Sequence, residues 1–84
     1  MSVTLRLFAA AREAAGRGHE DYDAARAATV GALLDAAEAD YGPRFAEVVR
    51  RSRVWVNGDE PAEGRATPLA DGDEVAVLPP VSGG

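Results

Sequence analysis

The stretch Glu74-Val75-Ala76-Val77-Leu78-Pro79-Pro80-Val81-Ser82-Gly83-Gly84 decides how the chain is read. Its first five residues are β-formers and read as a strand. Two prolines then end that strand, because proline has no N–H for a ladder and fixes its own φ. From Pro79 the backbone must leave the sheet. Six extended residues reach about 20 Å at most. The expectation is therefore a compact body over residues 1–78 and a flexible arm over residues 79–84. The arm closes on two residues without side chains. A glycine backbone passes where a Cβ would clash, so such an arm can thread a narrow channel. It would present the Gly84 carboxylate there, ionised at neutral pH with a pKa of roughly 3.3–3.7. The plainer alternative is a frayed terminus.

Working outward, Asp71-Gly72-Asp73 reads as the turn that launches the last strand. A calcium loop needs more oxygen ligands at defined spacing than Asp71, Asp73 and Glu74 supply. Leu69 is expected to plug the core. Asp59 to Pro68 is polar and turn-rich, with room for one short edge strand, and Pro61 suits an edge. Asn57-Gly58 is a strong tight-turn signal. It follows Val54-Trp55-Val56, read as a strand.

Earlier in the chain, Val3, Leu5 and Leu7 alternate with polar residues, the period of a half-buried strand. Ala9 to Ala15 favours helix, with Gly16 to end it. His19 to Ala25 is weakly patterned and is read as a second strand hairpinned to the first. Thr29 is a good N-cap. Val30, Leu33, Leu34, Ala37 and Tyr41 then follow helical spacing and form the main core element. Gly42 stops that helix, and Pro43 suits the first turn of another. Phe45, Val48 and Val49 anchor the second helix.

The chain has 84 residues, enough for one small core. Hydrophobic residues make up 46%, so the chain should fold. Nine basic and fourteen acidic residues leave a net charge of −5. The one basic cluster, Arg50-Arg51-Ser52-Arg53, is short and sits in an acidic chain, which argues against nucleic acid as a partner. It reads either as a solvated rim or as a contact for an acidic partner. Every basic residue is arginine. A lysine-free chain cannot be extended into side-chain-linked chains of itself. There is no cysteine, which removes disulfides, thiol nucleophiles and thiolate metal sites. His19 has no second histidine and reads as a solvent-facing residue, not a ligand. No apolar run approaches a membrane span and no signal peptide pattern opens the chain, so a cytoplasmic protein is expected. No nucleophile–base pair, phosphate loop or metal set is visible.

Two runs carry a resemblance. Leu69 to Gly84 resembles the C-terminal end of the ubiquitin-fold sulfur carriers of the MoaD/ThiS type. Within that family it is most similar to the small, sulfur-carrying subunit of molybdopterin synthase. Leu7-Phe8-Ala9-Ala10-Ala11-Arg12-Glu13-Ala14-Ala15-Gly16 resembles the end of the family's first strand and the helix after it. The resemblance implies an α+β, ubiquitin-like β-grasp fold, a mixed sheet of four to five strands on one main helix. It implies a non-catalytic carrier with no active site or cofactor of its own. An ATP-dependent enzyme would adenylate Gly84, and a sulfur donor would convert it to a thiocarboxylate. The arm, with Gly83 and Gly84 at its tip, would then enter the large subunit of molybdopterin synthase and deliver sulfur for the dithiolene. Two alternatives stay open: a carrier for thiamine, cysteine or another sulfur product, and a modifier joined to protein lysines through Gly84.

The same resemblance places Arg12 near a partner interface, although a solvated helix-face arginine reads equally well. If Val75 and Val77 face the core, Ala76 and Leu78 face out. Trp55 would then join them in an exposed apolar patch beside the arm, with Pro79, Pro80, Val81 and Ser82 continuing the contact surface. In the opposite register Trp55 is core and the valines face outward.

Overall fold

The computed structural model describes residues 2–80. Four strands, β1 (Ser2–Leu7), β2 (His19–Asp23), β3 (Arg53–Val56) and β4 (Glu74–Leu78), form one sheet in the order β2-β1-β4-β3. The central pair, β1 and β4, is parallel, and both outer pairs are antiparallel. Helices α1 (Ala9–Ala15), α2 (Val30–Tyr41) and α3 (Pro43–Arg50) complete the layer pair. This is the mixed sheet and main helix of a β-grasp fold.

Alternation fixes which face is core. Val3, Leu5 and Leu7 of β1 and Val75 and Val77 of β4 are fully or almost fully buried. They meet Val30, Leu33, Leu34 and Ala37 of α2, and Phe45 of α3. Each large aliphatic side chain buried this way contributes about 1.5–3 kcal/mol. Phe45 also meets Tyr41 edge-on at 5.1 Å between ring centroids, a favoured aromatic geometry. Leu69, Val48, Val54 and Val56 pack half-buried around this cluster.

The local signals act as their chemistry requires. The Thr29 hydroxyl accepts from the Ala32 N–H at 3.1 Å, satisfying one orphan donor of α2. Gly42 ends α2 and precedes α3 with φ of 94°, and Pro43 opens α3. An L side chain at that φ would be strained. Asn57 and Gly58 both take positive φ, 49° and 88°, the pairing of a tight primed turn. The Asn57 side chain donates to Asp73 at 3.0 Å and accepts from the Glu74 N–H at 2.9 Å, tying that turn to the start of β4.

One expectation changes. Asp59 to Pro68 contains no strand among the described residues. It holds a short 3₁₀ turn, Gly64–Ala66, and isolated bridges Val56–Asp59 and Thr29–Pro68. Pro61, Pro68 and Gly64 deny that segment a continuous ladder, and Thr67 Oγ1 accepts from Glu63 N–H to close it locally. The second strand forms as expected, as β2 (His19–Asp23) antiparallel to β1. The weak pattern of β2 hides a buried tyrosine whose hydroxyl donates to Asp40 at 3.1 Å. Arg26 lies over its ring at 5.6 Å and pairs with Asp40 at 3.7 Å. Burial, together with Tyr41 and Asp40 nearby, pushes its phenol well above the usual tyrosine range.

Candidate functional site: the arm end of the sheet

Because β1 and β4 are parallel, their C-terminal ends meet at one pole of the domain. There Phe8 N–H donates to Val77 C=O at 3.2 Å, the last rung on the β1 side of β4. Leu78 ends β4, and Pro79 and Pro80 follow, both exposed. The prolines form one wall of a groove of about 190 Å³. Phe8, Ala9 and Ala10 form its second wall, and Val48, Arg51 and Ser52 near the end of α3 form its third. Small side chains at the start of α1 leave this space open. Ala9 holds a left-handed φ of 50° there, a conformation that costs an alanine about 1–2 kcal/mol.

Phe8 is 42% exposed, the one large hydrophobic so exposed among the described residues. In the sequence Phe8 stands out only as one position of the Leu7–Gly16 resemblance. A signal was present. With Leu5 and Leu7 facing the core, the period of two sends residue 8 to the outside.

The expected patch is on the free face but is not exposed. Trp55 lies opposite Ala76 in the β3–β4 register, and both are half-buried, as is Leu78. The neighbouring positions on this face are arginines: Arg6 opposite Ala76 and Arg53 opposite Leu78. The indole Nε1 of Trp55 is buried and has no hydrogen-bond partner among the described residues. The apolar surface at this pole is therefore the Phe8–Pro80 groove, with the Trp55 face beside it.

Arginines surround the pole. Arg51 pairs with Glu47 at 3.2 Å, and Arg53 with Glu60 at 3.5 Å. Arg6 Nε donates to Glu74 at 2.7 Å on the free face. Arg12 is exposed on α1, has no ion pair among the described residues, and reaches over Gly18. A Cβ on Gly18 would stand 3.6 Å from its guanidinium carbon. His19 is exposed, and no metal-binding cluster of histidine, aspartate or glutamate occurs among the described residues. Val81, Ser82, Gly83 and Gly84 lie outside the described residues.

A mixed four-stranded sheet whose central strand runs out into a proline-led ending defines a ubiquitin-like β-grasp protein. Residues 5–84 match the ThiS family, and the chain belongs to that family. It is 39% identical to small archaeal modifier protein 3 of Haloferax volcanii, over the full length of both chains. The crystal structure of SAMP1 from Haloferax volcanii superposes with a TM-score of 0.80 at 35% identity, over all of both chains. A chain of the protein-protein complex of subunits 1 and 2 of molybdopterin-converting factor from Helicobacter pylori gives a TM-score of 0.70 at 25% identity, again over all of both chains. These likenesses make the chain a ubiquitin-like sulfur carrier or modifier. No helix among the described residues is long and apolar enough to cross a membrane.

Proposed function

We propose that this protein is a small ubiquitin-like carrier that works through the carbonyl carbon of Gly84, and that attachment to other proteins is its leading use. The observation that carries this reading is the exit of β4. A central, fully paired strand ends at Leu78 and passes straight into exposed Pro79-Pro80 beside an apolar groove. The body thus offers a grip, and the four residues after Pro80 supply a reach of about 14 Å.

An ATP-dependent partner would join Gly84 to AMP, giving an acyl group with a good leaving group. Attack by a sulfur donor would yield a thiocarboxylate, and attack by a lysine amine would yield an isopeptide bond. This chain contributes recognition and positioning: Phe8 and the alanines of α1 seat the partner, and the arm excludes side-chain bulk from its channel. ATP would be held by the partner. The archaeal modifier relatives favour the conjugation branch. The Helicobacter pylori complex favours a second reading, sulfur delivery to a molybdopterin synthase large subunit.

The test is expression of the tagged chain, with and without Gly84, in its native host. Arg65 is the last arginine and no lysine follows. A tryptic conjugate therefore carries residues 66–84 on the target lysine. The expected result is such branched peptides from the full chain only. Their absence, combined with sulfur at the C-terminus, would shift the account to the sulfur-delivery branch. Equal adducts from the shortened chain would refute it.

A further inference from the structure

We propose that the open edge of β2 docks an extended, basic segment of a partner protein, which adds a further strand to the sheet beside Asp21 and Asp23. The site shares no residue with the Phe8–Pro80 groove and does not depend on chemistry at Gly84.

A sheet in the order β2-β1-β4-β3 has two edges, and this chain treats them differently. At β3, Val56 N–H donates to Asp59 C=O at 2.7 Å and Asp59 N–H donates to Val56 C=O at 3.0 Å, so the chain covers part of that edge itself. At the other edge, Leu7 N–H donates to Gly18 C=O at 2.8 Å, and Thr4 N–H donates to Asp73 C=O at 3.0 Å. These two bonds fix the phase of the ladder. Alternation in an antiparallel pair then turns the backbone groups of Glu20 and Tyr22 toward β1, and those of His19, Asp21 and Asp23 away from it. The Asp23 carbonyl accepts from Arg26 N–H at 2.9 Å. Among the described residues nothing meets the outward N–H and C=O groups of His19 and Asp21. β2 contains no proline and pairs with β1 without a bulge. An unpaired row of this kind is a template for another strand.

Charge selects the occupant. His19, Asp21 and Asp23 are exposed, and at alternate positions their side chains share the free face of the sheet. Asp21 accepts from the Thr4 hydroxyl and Asp23 from the Ala25 N–H, each at 2.8 Å. The nearby cations are engaged elsewhere: Arg6 with Glu74, Arg17 with Glu20 and Arg26 with Asp40. Pairing this edge with a second copy would bring the aspartates of both copies together, which is unfavourable. A strand with cations at alternate positions would instead set one beside each aspartate. Each such cross-strand pair adds up to about fivefold in affinity. The backbone ladder supplies the rest, as in other cases of strand addition to an exposed edge.

The probe is a capped seven-residue peptide alternating arginine with valine, titrated at low salt into the isotope-labelled full chain and followed by amide NMR. One control peptide is N-methylated at its arginine amides, which keeps the charge and removes the ladder donors. Another has glutamate for arginine. The arginine peptide is expected to shift amides centred on residues 19–23 and to slow hydrogen exchange at His19 and Asp21. Both controls should bind several-fold more weakly. Asp21→Asn combined with Asp23→Asn keeps both acceptor oxygens and should also weaken binding several-fold, with thermal melts checking that the variant is folded. Equal binding of the N-methylated peptide would mean ionic adsorption only and would overturn the inference. So would shifts centred elsewhere, absence of binding, or full affinity in the folded double variant. Concentration-dependent protection of the same amides without peptide would assign the edge to a second copy and overturn it as well.

Discussion

Phe8→Ala is the perturbation that separates a docking residue from a core residue. A phenylalanine buries about 200 Å² when fully covered. Phe8 leaves 42% of its surface in water, so a partner that covers it removes roughly 80 Å². At about 25 cal/mol per Å² this amounts to about 2 kcal/mol, or about thirtyfold in affinity. The already buried part of the ring supports the start of α1, and its loss will lower stability without unfolding the domain. The fully buried Phe45 provides the contrast: truncation there costs about 3–5 kcal/mol, a large share of a small domain's stability. Calorimetric binding of each variant to the cognate adenylating enzyme, well below the melting midpoint, and thermal melts of the same samples give both quantities. Phe8→Ala should lose binding much more than stability, and Phe45→Ala the reverse. Unchanged affinity in folded Phe8→Ala would refute the groove as the partner's grip.

Two further outcomes follow from the body. Gly31→Val in α2 should destabilise by about 1–3 kcal/mol in a denaturant titration, because a Cβ there would stand 3.1 Å from the backbone oxygen of Arg65. Stability should also fall above about pH 10, since Tyr22 is neutral in the fold and its raised pKa favours folding only while the unfolded phenol is also protonated. In melts from pH 8 to 12, Tyr22→Phe should flatten that decline, and an unaltered slope would assign it to other groups.

Much of this architecture was legible because it is written locally. Thr29 caps α2 through its own hydroxyl, Asn57-Gly58 adopts the backbone its residues prefer, and β4 alternates over all five positions. The β2 strand was faint because only Tyr22 of its five residues turns an apolar ring inward. The 3₁₀ turn near Gly64 is not distinguishable from a short edge strand in the sequence, because polar residues between prolines carry no period. The groove could not be read at all, since it exists only where three distant segments, Phe8–Ala11, Glu47–Ser52 and Pro79–Pro80, converge. Half-burial of Trp55 and Leu78 likewise depends on neighbours set by register, not by adjacency in the chain. The molybdopterin-specific expectation rested on an ending shared by a wider family, and the relatives found here lean toward modifiers.

The central claim is that Gly84 is the reacting residue. The direct measurement is intact mass and C-terminal fragmentation of the purified chain after incubation with its adenylating enzyme and ATP, followed by sulfide or by a lysine amine. The account predicts a mass change confined to Gly84: AMP with ATP alone, then sulfur in place of oxygen, or an amide to the amine. A change mapped to any other residue, or equal reaction of a chain lacking Gly84, would contradict it.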